Sequence, residues 1–213
     1  MRASKQPTKI RRAEITQAAL DLVSRGGLQD LSVAAVAHAC GLVPSAVYRH
    51  FKGKEEILDA AVESVEQQLA ENIDRACGNG SEPVACLKTL FDLHLKMIME
   101  NRGIPRLVFS DELYSHHPDR KRRIHRALSR YLGQIQALVK RAQAQGKMNR
   151  TYPPATWSYL FLGLVQPAAV LWHLSDGRAD VLQQAAGAWE AFLELARPDT
   201  PEKEGHSGNA REI

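Results

Sequence analysis

Cysteine is the first scarcity. The 213-residue chain has three, Cys40, Cys77 and Cys86, with no C-x-x-C spacing among them. An odd count argues against a disulfide framework, and the thiols are expected to stay reduced in a cytosol. An apolar leader is missing as well. Residues 1–14 are polar and basic, so no secretory signal is read there. The most apolar run, YLFLGLVQPAAVLWHL at 159–174, is short for a membrane span and carries Gln166 and Pro167. It reads as a buried helix, with no membrane partner. No segment alternates apolar and polar residues, which excludes a sheet, and there is no internal repeat. H-E-x-x-H, P-loop and dinucleotide fingerprints are absent. Gly205-His206-Ser207-Gly208-Asn209 imitates a nucleophile elbow, but its last residue is wrong and no strand precedes it. His116-His117 has no third ligand at metal-site spacing. An enzyme, a cofactor and a metal centre are therefore not expected.

What is present is helical periodicity and an uneven charge. Residues 1–55 hold nine Lys/Arg against four Asp/Glu, a net +5, while the remainder holds nineteen against twenty, a net −1. Excess positive charge confined to the first quarter is the footprint of a segment that meets a polyanion. Ile15, Ala18, Ala19, Leu22 and Val23 form one helical stripe, closed by Gly26-Gly27. Ser32 can cap a short helix over 33–39 that carries Val33, Val36 and Ala37. Gly41 breaks it, and Pro44 suits the first position of a third helix running to about 50.

Longer helices follow. The first spans 54–76 with a stripe of Leu58, Ala61, Val62, Val65, Leu69 and Ile73, and stops at Gly78-Asn79-Gly80. The triplet Asn79-Gly80-Ser81 reads as a turn rather than a glycosylation site. Further helices are predicted over 83–101, 104–114, 119–145, 153–174 with a kink or shift at Pro167, and 179–196 after an Asp176-Gly177 turn. The total is nine helices. The charge break and the helix-length break coincide, so the predicted domains are 1–54, 55–197 and a disordered tail 198–213.

Two short helices joined by a glycine turn make a helix-turn-helix, whose second member enters a major groove about 12 Å wide. Val43, Pro44, Ser45, Ala46, Tyr48 and Arg49 should then be exposed, with Val47 and Phe51 in the small core. Lys52 and Lys54 lie past the helix, placed to neutralise phosphates.

LSVAAVAHACGLVPSAVYRHFKGKEEIL at 31–58 resembles the DNA-binding domain of the TetR/AcrR family of transcriptional regulators. The resemblance rests on Ser32, Cys40-Gly41, Tyr48, His50-Phe51, Lys54 and Leu58, with Ile15, Ala18, Leu22 and Gly26 in the first helix. It implies an all-α fold, in which a three-helix DNA-binding domain precedes a six-helix ligand-binding and dimerisation domain. It implies a cytoplasmic homodimer that represses transcription from a palindromic double-stranded operator and lets go when a small-molecule effector binds. It implies phosphate contacts from Ser32, Tyr48 and Lys54 and places Pro44, Ser45 and Arg49 nearest the bases; with the exposed Val43 and the cation Lys52 these make up the expected DNA-binding set. Many relatives have Ser where Val43 stands and Thr or Ser where Ala46 stands, which removes a cap and a polar contact. A helical ligand-binding or interaction protein without DNA binding is the alternative, and the retained Tyr48 and Lys54 argue against it.

For the larger domain the predicted dimer surfaces are Leu160, Leu164, Ala168, Leu171 and Trp172 on one helix, and Val181, Leu182, Ala185, Ala188, Trp189 and Phe192 on the last. Candidate pocket residues pair apolar bulk with a polar handle: His94, Tyr114, Tyr131, Tyr159 and Gln166. The run DRKRRIHR at 119–126 reads as the wet face of a helix.

Overall fold

The computed structural model describes residues 8–78 and 81–198. The expectations for the tail, for Asn79-Gly80 and for residues 205–209 lie outside the described residues. Within them the chain is all-helical, with no strand, as expected. The order is α1 (Thr8–Gly26), a 3-10 turn (Leu28–Asp30), α2 (Val33–Ala39), α3 (Pro44–Tyr48), α4 (Lys54–Ala76), α5 (Pro83–Glu100), α6 (Gly103–Val108), α7 (Asp111–Tyr114), α8 (Pro118–Ala144), α9 (Pro154–Leu174) and α10 (Val181–Leu195).

The small unit forms as its local signals require. The Ser32 hydroxyl accepts the Ala35 N–H at 3.1 Å, which satisfies an orphan donor at the start of α2. Gly41 takes φ +65°, a conformation that costs glycine nothing. The turn closes with Leu42 N–H donating to Ala37 O at 2.8 Å. Pro44 then opens α3 where its missing N–H leaves no bond unmade. Ile15, Ala19, Leu20, Val23, Val36, Val47 and Phe51 are buried together. The inward face of α1 is rolled from the expected stripe: Leu20 is fully buried and Leu22 only partly. The cause is tertiary, because α6 of the body packs on α1 from one side while α2 and α4 pack on others.

In the body, α4 runs from the small unit inward, with Ile57, Leu58, Ala61, Val62, Val65 and Leu69 buried. An aromatic ladder joins α5, α9 and α10. Phe91 stacks on Trp189 at 5.2 Å and Trp189 on Phe192 at 5.4 Å, while Trp157 meets Phe192 edge-on at 5.3 Å. Each such pair adds about 0.5–1.5 kcal/mol beyond area burial.

Three expectations need correction. The single helix over 104–114 is two, α6 and α7, so the body has seven helices among the described residues. Ser110 is extended (φ −82°, ψ 120°), and the Tyr114 hydroxyl donates to Val108 O at 2.7 Å, which satisfies a carbonyl at the end of α6. The stripe Val181, Ala185, Trp189 and Phe192, expected at a dimer surface, is buried within the protomer. The aromatic ladder requires it there. The apolar run of α9 is buried on one side only. Trp157, Phe161, Val165 and Ala169 point inward, while Tyr159, Leu160, Val170, Leu171 and Leu174 are exposed. By length and composition α9 would suffice to cross a membrane; here its inner face packs on α5, α8 and α10.

Candidate nucleic-acid interface and regulatory cavity

The face presented by α3 is assembled from the glycine turn outward. Val43, Pro44, Ser45, Tyr48 and Arg49 are exposed, with Tyr48 at 56%. Ala46, expected among them, is buried. The helix is rolled toward α2, against which it packs. Helical geometry ends at Tyr48 rather than near 50, and Arg49 and His50 continue as a turn in which His50 N–H donates to Val47 O at 2.8 Å. Arg49 and Lys52 stand in solvent and make no ion pair among the described residues. Ser32 is exposed at the start of α2, where the helix N-terminus adds positive potential beside its hydroxyl.

A residue missed at the sequence level fixes the exit of α3. Arg12 of α1 lies over the Phe51 ring at 4.0 Å, donates to His50 O and pairs with Glu56 at 3.0 Å. The other Glu56 oxygen accepts the Lys52 N–H at 2.8 Å. That backbone hydrogen bond, followed by Arg12, holds the Glu56 carboxyl below its ordinary pKa. Arg12 continues the buried positions 15, 16, 19 and 23 of α1 one turn toward the N-terminus, and that register was the available signal.

Lys54 faces inward. Its Nζ donates to Leu28 O at 2.7 Å and lies 3.6 Å from Glu112 of α7. Its neighbour junction is Arg120, the first arginine of the run read as a wet face. Arg120 is 2% exposed. Its guanidinium donates to Asp59 at 2.7 Å and to the Glu55 backbone carbonyl at 2.9 Å, and pairs with the Glu55 carboxylate at 2.9 Å. The Glu55 carboxylate also lies 2.9 Å from His117. Arg123 reaches Glu66 at 2.6 Å. So Arg120 and Arg123 tie α8 to α4, Ile124 is in the core, and only Asp119, Lys121, Arg122, His125 and Arg126 are wet. Arg120 sits four and seven residues before Ile124 and Ala127 on the buried stripe of α8. Periodicity therefore placed it, although its charge argued otherwise.

The body holds a partly open apolar cavity of about 90 Å³ between α4, α5, α6, α8 and α9, walled by residues such as Val65, Leu69, Ile98 and Val108. Of the five candidate pocket residues, His94 and Gln166 line it. Tyr131 is buried behind His94, and its hydroxyl shares a hydrogen bond with His94 Nδ1 at 3.0 Å. Burial pushes the His94 pKa down to about 4, so the ring is neutral at pH 7. Burial likewise raises the Tyr131 phenol above its usual range. Tyr114 closes the α6–α7 break instead of lining the cavity, and Tyr159 is 67% exposed on the outer side of α9. The described residues contain no cluster of three or more metal-ligating side chains.

A helix-turn-helix carrying exposed cations, set on a hollow helical body, defines the class of DNA-binding transcriptional regulators. Residues 15–61 match the description "Bacterial regulatory proteins, tetR family", and residues 80–196 match "Tetracyclin repressor-like, C-terminal domain". The chain belongs to the tetR family. Among curated proteins it is similar to the nucleoid occlusion factor SlmA of Marinomonas sp. (strain MWYL1), 26% identical over 132 residues covering 62% of this chain and 67% of the relative. The SlmA of Escherichia coli O1:K1 / APEC is 29% identical over 140 residues, 65% and 71% of the two chains. Among solved structures, a fatty acid degradation regulator FadR from Bacillus halodurans superposes with a TM-score of 0.69 at 17% identity, covering 89% of this chain and 96% of that one. A FadR from Bacillus subtilis in complex with stearoyl-CoA gives a TM-score of 0.69 at 17% identity, covering 87% and 99%. AibR in complex with isovaleryl coenzyme A and operator DNA gives 0.66 at 21%, covering 89% and 100%.

Proposed function

We propose that the chain is a homodimeric repressor whose two copies of α3 read a palindromic operator and which a small molecule releases. The observation that carries this reading is the exposed row of Tyr48, Arg49 and Lys52 on and just after a short helix behind a glycine turn. In this reading the DNA-binding domain ends near residue 54 and the body follows it. Pro44, Ser45 and Arg49 face base edges. Tyr48, Lys52 and the Ser32 hydroxyl hold phosphates, and Val43 packs against the backbone. Lys54 reaches a phosphate only by leaving Leu28 O and Glu112, so it reports the junction as much as the DNA. The dimer forms through the open faces of α9 and α10, where Leu160, Leu171 and Leu182 are exposed. One five-residue helix meets few base pairs, and two-fold symmetry supplies the rest.

The effector occupies the apolar cavity and favours one set of the junctions at α4 and α6. The acyl-CoA complexes of FadR and AibR support such an occupant. A coupling of about 1–3 kcal/mol changes operator affinity roughly 5–150-fold. The test is fluorescence anisotropy on DNA flanking the gene at low and moderate salt, together with the mass in solution. Affinity should fall steeply, by about 10³-fold between 50 and 200 mM salt if six phosphates are neutralised. A monomer that ignores every duplex at low salt would overturn the reading.

A further inference from the structure

The cavity is not isolated. An open groove of about 340 Å³ runs beside it, between the Gly27–Leu28 turn of the N-terminal unit, α6 and the last turns of α9. Pro105, Phe109 and Ala169 line both hollows. Phe109 is 63% exposed, an unusual state for a residue that also walls an apolar cavity. It stands at the mouth between the two.

The hollows differ in chemistry. His94 and Gln166 are the polar members of the inner wall. The outer wall carries Arg106, Ser110 and His173 beside apolar groups such as Leu174. Neither wall contains an Asp or Glu among the described residues. An inner space of about 90 Å³ admits a thin apolar chain and excludes a bulky polar head. A head group must stay outside, where the formal charge is that of Arg106.

We propose that the two hollows form one bipartite site for a linear amphiphile with an anionic head. The chain lies inside, past Phe109, and the head lies in the groove beside Arg106. This rests on the reading of the protein as a ligand-responsive regulator and names the ligand class. It also supplies a direct route to the DNA-binding unit. Arg106 donates to Ser24 O at 3.3 Å and Arg25 O at 3.2 Å, two carbonyls in the last turn of α1. An anion in the groove competes with those carbonyls for the guanidinium. The same groove is walled by Leu28, whose carbonyl Lys54 holds. The ligand therefore touches both units at once, and its head loosens a contact that fastens α1.

The test titrates the full chain calorimetrically with octanoate, octanoyl-coenzyme A, 1-octanol and coenzyme A alone. Octanoate or octanoyl-coenzyme A should bind at least about tenfold tighter than 1-octanol, and coenzyme A alone should not bind. Whichever anion wins tells whether the head is a free carboxylate or a nucleotide thioester. Leu174→Glu places an acid in the groove at a residue already 72% exposed. It should cut the preference for the anionic probe over 1-octanol about tenfold through like-charge repulsion. Equal binding of 1-octanol, indifference of the anion to Leu174→Glu, or no binding by any probe would overturn the site. Duplex affinity measured on the same sample without probes reads the regulator hypothesis separately. Its loss alongside the expected probe pattern sinks the DNA reading and leaves the site standing.

Discussion

The N-terminal unit and the helical body keep their polar groups in opposite places. In the first, the side chains proposed to act on DNA stand in water: Ser45, Tyr48, Arg49 and Lys52. In the body, the polar groups with structural consequence are inside: His94 on Tyr131, and Arg120 on Glu55 and Asp59. Two helix junctions also differ. The α4–α8 junction is held by charge. The α1–α6 junction is held mainly by close packing, since a Cβ on Gly103 would fall well inside van der Waals contact distance of Leu20 O, with Arg106 bonded to the last turn of α1. The difference teaches which unit answers to which stress. Salt and loss of exposed cations act on the surface unit, and acid, changes of volume and loss of the buried Arg120 act on the body and its joints.

Acid should separate the two units most. His94 has its folded pKa lowered to about 4 from an ordinary 6.5. Between those values the unfolded chain binds the proton and the folded chain does not, so stability is full above pH 6.5 and falls as pH drops toward 4. The loss is roughly 3 kcal/mol by linkage. Urea midpoints measured from pH 7 to 4 should show it, and His94→Asn should flatten that slope. A wild-type slope no steeper than the variant's would break the contrast. Gly103→Val comes next. It wedges a branched side chain between α6 and α1 at a cost of about 2–3 kcal/mol, read as a lower thermal midpoint, and it should weaken operator binding while α3 itself is untouched. Arg120→Met should cost about 2 kcal/mol. The penalty stays below that of a fully buried pair, because Glu55 and Asp59 are half-exposed and regain water. Ser32→Ala should cost about 1 kcal/mol through the lost cap of α2. Lys52→Ala should leave stability alone, lower affinity for all duplexes alike, and reduce the salt slope by about one.

The same contrast explains what could be read from the chain. Ser32, Gly41 and Pro44 announce their turns through their own chemistry, so the turns of the small unit were legible, while the burial of Leu20 and Ala46 and the end of α3 at Tyr48 depend on packing and were not. The stripe of α4 and the boundaries set by Pro83 and Gly146 were equally plain. The α6–α7 break was not, because residues 106–114 carry no Gly or Pro and the interruption is completed by Tyr114 folding back onto Val108. The inner face of α10 read as apolar, but periodicity alone does not say whether an apolar stripe meets its own chain or a copy. His94 and Gln166 were reachable as polar handles among apolar neighbours. Tyr159 has the same composition around it and lies outside. Arg120 and Lys54 were read by their charge, although their partners Asp59, Glu112 and the Leu28 carbonyl come from distant segments.

The close approach of Gly103 to the Leu20 carbonyl has a consequence for anyone building hybrids from this protein. A reading head transplanted from a relative brings its own first helix, whose curvature and roll were set against a different body. Hybrids should work only when the donor's α1 seats on a residue without a side chain at position 103. The practical unit of exchange is thus a discontinuous one, the reading head together with the six-residue α6, rather than the continuous first quarter of the chain.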